Sequence, residues 1–189
     1  MKRLFFTLFA MIIATALIGQ NNNFSKGDKV LNAGIGLGST LYTGTGYSSK
    51  VPPVSVSFEV GLKDDFLDVQ DLSFGIGGYL GYTAAKWESS WGGGSWGWEY
   101  SSIIIGPRGT LHYPFVDKLD TYTGLMIGYN IVSSKSYGTG LWSDYSASAS
   151  GLSWSYYIGG RYYFSDNFAA MVELGYGIAY LNLGVALKF

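Results

Sequence analysis

Glu59, Arg108, Arg161 and Glu173 are set among glycine, serine, tyrosine and apolar residues, away from the polar segments of the chain. Ions in such surroundings need partners, because a buried charge left alone is costly. Paired, they brace a structure or line a path for ions or protons. His112 is the only histidine and there is no cysteine, so a metal centre would have to be built from oxygen ligands. A hydrolytic triad would have to join His112 to a serine and a carboxylate. The segment GLGSTLYTGTG, residues 36–46, looks superficially like a phosphate-binding glycine loop. No helix pattern follows it, and glycines of a strand facing a crowded interior explain it better. Trp87, Trp91, Trp96 and Trp98 fall within WESSWGGGSWGW. Their rings suit stacking on a sugar, on a partner's surface, on one another or among lipid headgroups.

The elements that position these groups read as strands. The chain has 189 residues with 28 glycines, 16 tyrosines and only 13% charged residues, a mix that favours many short strands over helices. One domain is the natural count. A formal net charge of -1 without any basic run lacks the footprint of a nucleic-acid binder. Met1–Gly19 differs from the rest: Lys2 and Arg3 precede an apolar run from Leu4 to Ile18 that is broken only by Thr7 and Thr15. The run is shorter than the roughly 20 residues that span a bilayer, so a secretory signal peptide over residues 1–19 is expected. Cleavage near Gly19 and Gln20 fits, with Ala14-Thr15-Ala16 as an alternative site. Residues 20–189 are then the mature domain.

Period-two alternation runs through that domain eight times. The segments are Val30–Leu41, Val54–Lys63, Leu72–Thr83, Ser101–Phe115, Thr121–Ser133, Ser153–Phe164, Phe168–Gly177 and the last residues, Tyr180 to Phe189. One face of each carries Leu, Ile, Val, Phe, Trp or Tyr without a charge; in the first segment this face includes Leu31, Ile35, Leu37 and Leu41. Glu59, Lys63, Arg108, Arg161, Glu173 and Lys188 all lie on the other face, beside glycine and tyrosine. Pro107 inside the fourth segment cannot donate to a ladder, which predicts a bulge or a locally broken pair. The tight turn at Asp166 sets Arg161 and Glu173 diagonally on neighbouring strands, within reach of each other. Connections alternate between short and long. The stretch before Pro52 and Pro53, the tryptophan-rich stretch and residues 134–151 read as the long loops.

Volume decides which face points inward. Eight strands enclose an interior just wide enough for side chains. Leucines and aromatics from every strand would overfill it, whereas the glycine-rich face leaves room for a few tyrosines and arginines. The apolar face therefore points out, with aromatics near its two rims as interfacial girdles.

The final strand, YLNLGVALKF, carries Leu181, Leu183, Val185, Leu187 and Phe189 on its apolar face and ends on an aromatic residue. In this it resembles the terminal strand of the small eight-stranded bacterial outer-membrane β-barrels. That resemblance implies an all-β, antiparallel, up-and-down transmembrane β-barrel in the cell outer membrane, closed by its first and last strands. It also implies that Leu181, Leu183, Val185, Leu187 and Phe189 form the signal read by the barrel-assembly machinery. The expected role is structural or surface-interacting, by a monomer with a side-chain-plugged lumen. Its partners would be outer-membrane lipid and, through the tryptophan-bearing loop, an extracellular glycan or protein. A narrow porin-like channel for small solutes is the alternative. An enzyme is not expected, because His112 lies near the short-turn end, opposite the rim where an outer-leaflet lipid hydrolase would need it. No cofactor is expected. If Phe189 is an assembly signal as well as a girdle residue, a chain ending at Lys188 folds into detergent nearly as well as the full chain but inserts far less in cells. Efficient insertion in cells would refute the signal role.

Overall fold

The computed structural model describes residues 24–91, 94–138 and 146–189. The expected signal peptide, Met1–Gly19, lies outside them. Eight strands follow one another: β1 (Lys29–Ser39), β2 (Tyr47–Lys63), β3 (Ser73–Trp91), β4 (Gly94–Val116), β5 (Leu119–Gly138), β6 (Gly151–Tyr163), β7 (Phe168–Tyr176) and β8 (Ala179–Lys188). Each pairs antiparallel with the next. A two-residue ladder, Ser146–Ala147, adds to the upper part of β5. β1 pairs with β8 from Val30↔Lys188 to Ser39↔Ala179, so the sheet closes into a barrel without a free edge through its body.

The alternation sorts the side chains as the volume argument requires. Ile35, Leu80, Ile105, Ile127 and Leu174 point outward and are half exposed or more, while Glu59, Arg108, His112, Arg161 and Glu173 are buried inside. Tyr113 and Phe115, Tyr162 and Phe164, and Phe164 and Phe168 meet as ring pairs at the short-turn rim, at 5.1, 5.5 and 6.3 Å. Trp154 and Tyr176 pair at 5.9 Å toward the other rim. The proline expectation resolves as a broken pair. The β4–β5 ladder lapses between Ile105↔Tyr129 and Arg108↔Met126 without a change of register, while Gly78↔Pro107 keeps its place beside β3. The backbones close up at this gap. A Cβ on Gly106 would stand 2.5 Å from the Cα of Gly128.

Three boundaries differ from the sequence expectation. β2 begins at Tyr47 and passes through Pro52 and Pro53, which read as loop; the β2–β3 ladder absorbs them in register shifts between Ser49 and Val54. The tryptophan-rich stretch is strand, paired from Trp87↔Trp98 to Trp91↔Gly94, and β5 continues to Gly138. Its side chains are small, polar and aromatic, so hydropathy alternation gives no signal there. Beyond the end of β1, which stops at Ser39, Leu41 turns inward instead of outward. Around Tyr180 the alternation also shifts, leaving Ala179 buried and Tyr180 half exposed.

β2, β3, β4 and β5 therefore rise beyond the rest of the wall, and in that extension the polarity of the two faces is exchanged. The outward positions of β3 run Phe74, Ile76, Leu80 and Tyr82, then change to Lys86 and Glu88. On β4 the same face changes from Ile105 and Ile103 to Glu99, and on β5 from Tyr129 and Ile131 to Ser133 and Lys135. Lys50 and Glu99 pair on this face at 2.7 Å, and that hydrogen bond holds the Glu99 carboxyl below the ordinary carboxylate range. The mouth-facing side of the extension carries Tyr47, Trp87 and Trp98 in one cross-strand row. Residues 74–82 of β3 span the apolar belt, close to the roughly 9–11 residues of a transmembrane strand. The level of the exchange is testable by charge insertion. Ile105→Arg, inside the belt, should cost about 2–4 kcal/mol of stability in lipid, and Ser133→Arg, above it, about 1 kcal/mol or less. Equal costs would remove the boundary.

Candidate functional site

The lumen is the candidate site, and strand parity builds it. Asn32 comes from β1, Glu59 from β2, Arg108 and His112 from β4, Asp120 and Tyr122 from β5, Tyr157 and Arg161 from β6, and Glu173 from β7; all are buried. In register, Gly77 separates Glu59 from Arg108, and a Cβ there would run into the backbone of Phe58. Asp120 stands directly opposite Arg161.

Arg161 is the centre of the lower lumen. Its Nη2 donates to Glu59 Oε2 at 2.6 Å, Nη1 to Asp120 Oδ2 at 2.9 Å and Nε to Asn32 Oδ1 at 3.0 Å. The other oxygen of each carboxylate meets His112: Asp120 Oδ1 lies 2.8 Å from Nδ1, and Glu59 Oε1 lies 3.0 Å from Nε2. The four side chains close a ring in which each acid bridges two bases. Both ring nitrogens of His112 face carboxylate oxygens, an arrangement in which an imidazole donating from both sides carries a positive charge. One layer up, Arg108 Nη2 donates to Glu173 Oε2 at 2.9 Å and Nε to the Tyr157 hydroxyl at 2.9 Å. Tyr122 joins the layers, with its ring 4.5 Å from the Arg161 guanidinium and its hydroxyl donating to Glu173. Three carboxylates thus face two guanidinium groups and the imidazole, and with His112 doubly protonated these charges balance.

Both ends are covered. At the short-turn end Phe24, which reads in sequence as part of a polar leader, stacks on His112 at 3.9 Å. Hydrogen bonds exchanged with Gly61 and a bond from the Lys26 N–H to Asp64 at 2.7 Å fix that segment. Toward the long-loop mouth, Ile104, Met126, Tyr157, Ile178 and Ala179 form an apolar layer against which Leu41 packs. The β1–β2 connection then crosses the opening: the Thr40 N–H donates to Ile178 O, and the Tyr42 hydroxyl meets Ser102 Oγ at 2.7 Å. A cavity of about 20 Å³ beside Tyr79, Arg108, Glu173 and Asn182 has room for roughly one water.

Glu59, Arg108, Arg161 and Glu173 therefore meet in one network, but with other partners than the diagonal Arg161–Glu173 contact expected from the tight turn. Register sets Glu173 opposite Gly159 and Arg161 opposite Met171; Glu173 finds Arg108 across the lumen, and Arg161 finds Glu59 across it and Asp120 on the neighbouring β5. Asp120 escaped the sequence reading because VDKLD looks like turn. The turn is only Asp117–Lys118, and Asp120 shares parity with Tyr122, Gly124 and Met126, which was the available signal. His112 has no ring nitrogen left to act as base for a nucleophile. Trp87 and Trp96 meet edge to face at 5.3 Å, and Trp98 stacks on Tyr100 at 6.4 Å, all above the mouth. The side chain of Trp91 lies outside the described residues. Leu183, Val185 and Phe189 of the terminal stretch are exposed on the outer side, and Leu181 and Leu187 are partly covered there. Arg161→Gln leaves Glu59 and Asp120 short of a counter-ion and should destabilise the barrel by about 3–5 kcal/mol in urea unfolding. An unchanged midpoint would rule the ring out as a stabilising element.

No protein-family model matches the sequence, and no curated protein sequence does. Among solved structures the chain is similar to Ail, the attachment invasion locus protein of Yersinia pestis, at 15% identity over 87% of this chain and 99% of that one, with a TM-score of 0.49. It is similar to the N-terminal β-barrel domain of Pseudomonas aeruginosa OprF at 14% identity over 87% and 98% of the two chains, TM-score 0.45. It is similar also to the outer membrane protein OprG of Pseudomonas aeruginosa at 9% identity over 90% and 99%, TM-score 0.46. The likeness is one of fold, and the ladder of this chain defines that fold by itself: a closed, eight-stranded, antiparallel β-barrel.

Proposed function

We propose that this protein is an integral outer-membrane β-barrel whose lumen is plugged by its own side chains, and that it acts as a structural or surface-interaction protein. The observation that carries this reading is the closure of the lumen at successive levels behind an uncharged belt. Phe24 covers the ionic ring from below, and the apolar layer and the β1–β2 connection cover it from above. A path for solute would have to break ion pairs buried at 0–10% side-chain exposure. The belt itself needs hydrocarbon. Ile127, Leu125, Trp154 and Ile158 are each more than half exposed, an area of apolar surface that water would not tolerate on a lone soluble barrel.

The partners of this reading are outer-membrane lipid around the belt, the assembly machinery at the terminal strand, and an extracellular glycan or protein at the extended strands. The closed ladder leaves the transmembrane wall no edge that requires a second copy, which supports a monomer. Two measurements test the proposal together. The mature chain should fractionate with outer membranes and migrate faster on a gel unheated than boiled, and the refolded protein should be silent in planar bilayers. Recovery in the soluble periplasm would overturn the membrane assignment, and stable conductance steps would replace the plugged barrel by a narrow channel.

A further inference from the structure

We infer that the aromatic, mouth-facing side of the extended strands binds an uncharged oligosaccharide. The inference rests on the surface-interaction reading above and names its ligand class.

Register puts the aromatic residues on one side. Tyr47, Trp87 and Trp98 are successive cross-strand partners across β2, β3 and β4; Tyr100 lies in the next row toward the barrel, and Trp96 in the row beyond. Tyr42, brought over by the β1–β2 connection, completes a cluster: the ring centroids of Tyr42, Tyr47 and Tyr100 are 5.5–6.0 Å apart. Gly46 makes this approach feasible, since a Cβ there would meet the Trp87 indole nitrogen at 2.7 Å. Between the connection and the strands lies a cavity of about 280 Å³, lined by Tyr42, Tyr47, Ser49, Pro53, Thr83 and Ala85. That volume is near the lower end of small-molecule pockets, roughly 300 Å³, and takes a single sugar ring.

The chemistry of the surface selects the occupant. A sugar ring offers C–H faces to aromatic rings and hydroxyl edges to Ser, Thr and Tyr hydroxyls, and both kinds of partner are present. No charged residue lines the cavity, whereas Lys50, Lys86, Glu88 and Glu99, with Lys135 beside Glu99, occupy the opposite face of the same strands. An anionic glycan would require cations on the binding side. An acyl chain would find a larger apolar surface on the belt, which touches this cavity at Leu37. The tyrosine rings also stand partly exposed, Tyr47 at 37%, instead of being sealed by neighbouring chain.

Calorimetric titration of the refolded full barrel tests the site, with maltohexaose, cellohexaose and chitohexaose as neutral probes and a heparin hexasaccharide as the anionic one. At least one neutral series should bind. Tyr47→Ala and Trp98→Ala should each weaken it about tenfold or more. Tyr47→Phe, which keeps the ring, and Lys86→Ala, on the opposite face, should leave it in place. Faster migration of the unheated variants on a gel confirms that they fold. Failure of all three neutral probes overturns the inference, as does binding that survives both alanine variants. Binding of the heparin probe alone overturns it too, while leaving the surface-interaction reading intact. Conductance in planar bilayers bears on the plugged barrel only, so failure of that reading is seen separately.

Discussion

An eight-stranded barrel has an interior too narrow for hydrated ions, so every charge that strand parity turns inward must be answered by another side chain. The rest of this structure depends on how that requirement is met around Arg161. Glu59, Asp120 and His112 complete a ring in which no carboxylate oxygen of the two acids and no ring nitrogen of the histidine is left over. The ring joins β2, β4, β5 and β6, and Asn32 adds β1. Because Glu59 and Arg161 are 102 residues apart, the interaction is a tie across the lumen that the hairpin ladders alone do not supply. Arg108 and Glu173 add a second tie, from β4 to β7. Buried ion pairs are not in themselves strongly stabilising, since desolvation offsets much of their attraction; their weight lies in the cost of losing one member. The same groups that fill the lumen thereby fix which strands face each other across it.

Seen from the other side of the wall, the requirement explains the distribution of polarity along the strands. Inside the belt the outer face holds no charge and the inner face holds all of them. Above Tyr82 and Ile103 the strands leave hydrocarbon, and the charges move to the outer face, where water and the Lys50–Glu99 pair accommodate them. The inner face is then free to carry aromatic rings over the mouth. One two-residue periodicity serves both environments, and the exchange of faces marks the border between them.

Much of this was legible in the sequence. Alternation without charge on one face gave eight strands and their orientation, because a lipid-facing strand and a crowded lumen impose opposite demands on adjacent residues; their closure was what the resemblance of the terminal strand implied. Pro107 announced its own broken pair. What the sequence did not carry is the partner of each charge. Arg161 meets Asp120 on the neighbouring strand, but Glu59, and Arg108 for Glu173, come from strands far away in sequence, and contacts across a lumen leave no periodic trace. Asp120 was hidden by a turn shorter than its polar surroundings suggested. Phe24 stood in a run of asparagine, serine, lysine and aspartate that gave no reason to place a ring beneath His112. The extended strands were missed for a related reason: tryptophan alternating with glycine, serine and glutamate is not a hydropathy pattern, although it is an excellent strand.

The central claim is that Arg161 and Glu59 stabilise the barrel through each other. A double-mutant cycle isolates that coupling from the separate effects of either change. Urea unfolding of the refolded wild type, Arg161→Gln, Glu59→Gln and the double variant should give a coupling energy of about 1–3 kcal/mol, with the double variant more stable than the sum of the single losses requires. Strict additivity of the two losses would contradict the account.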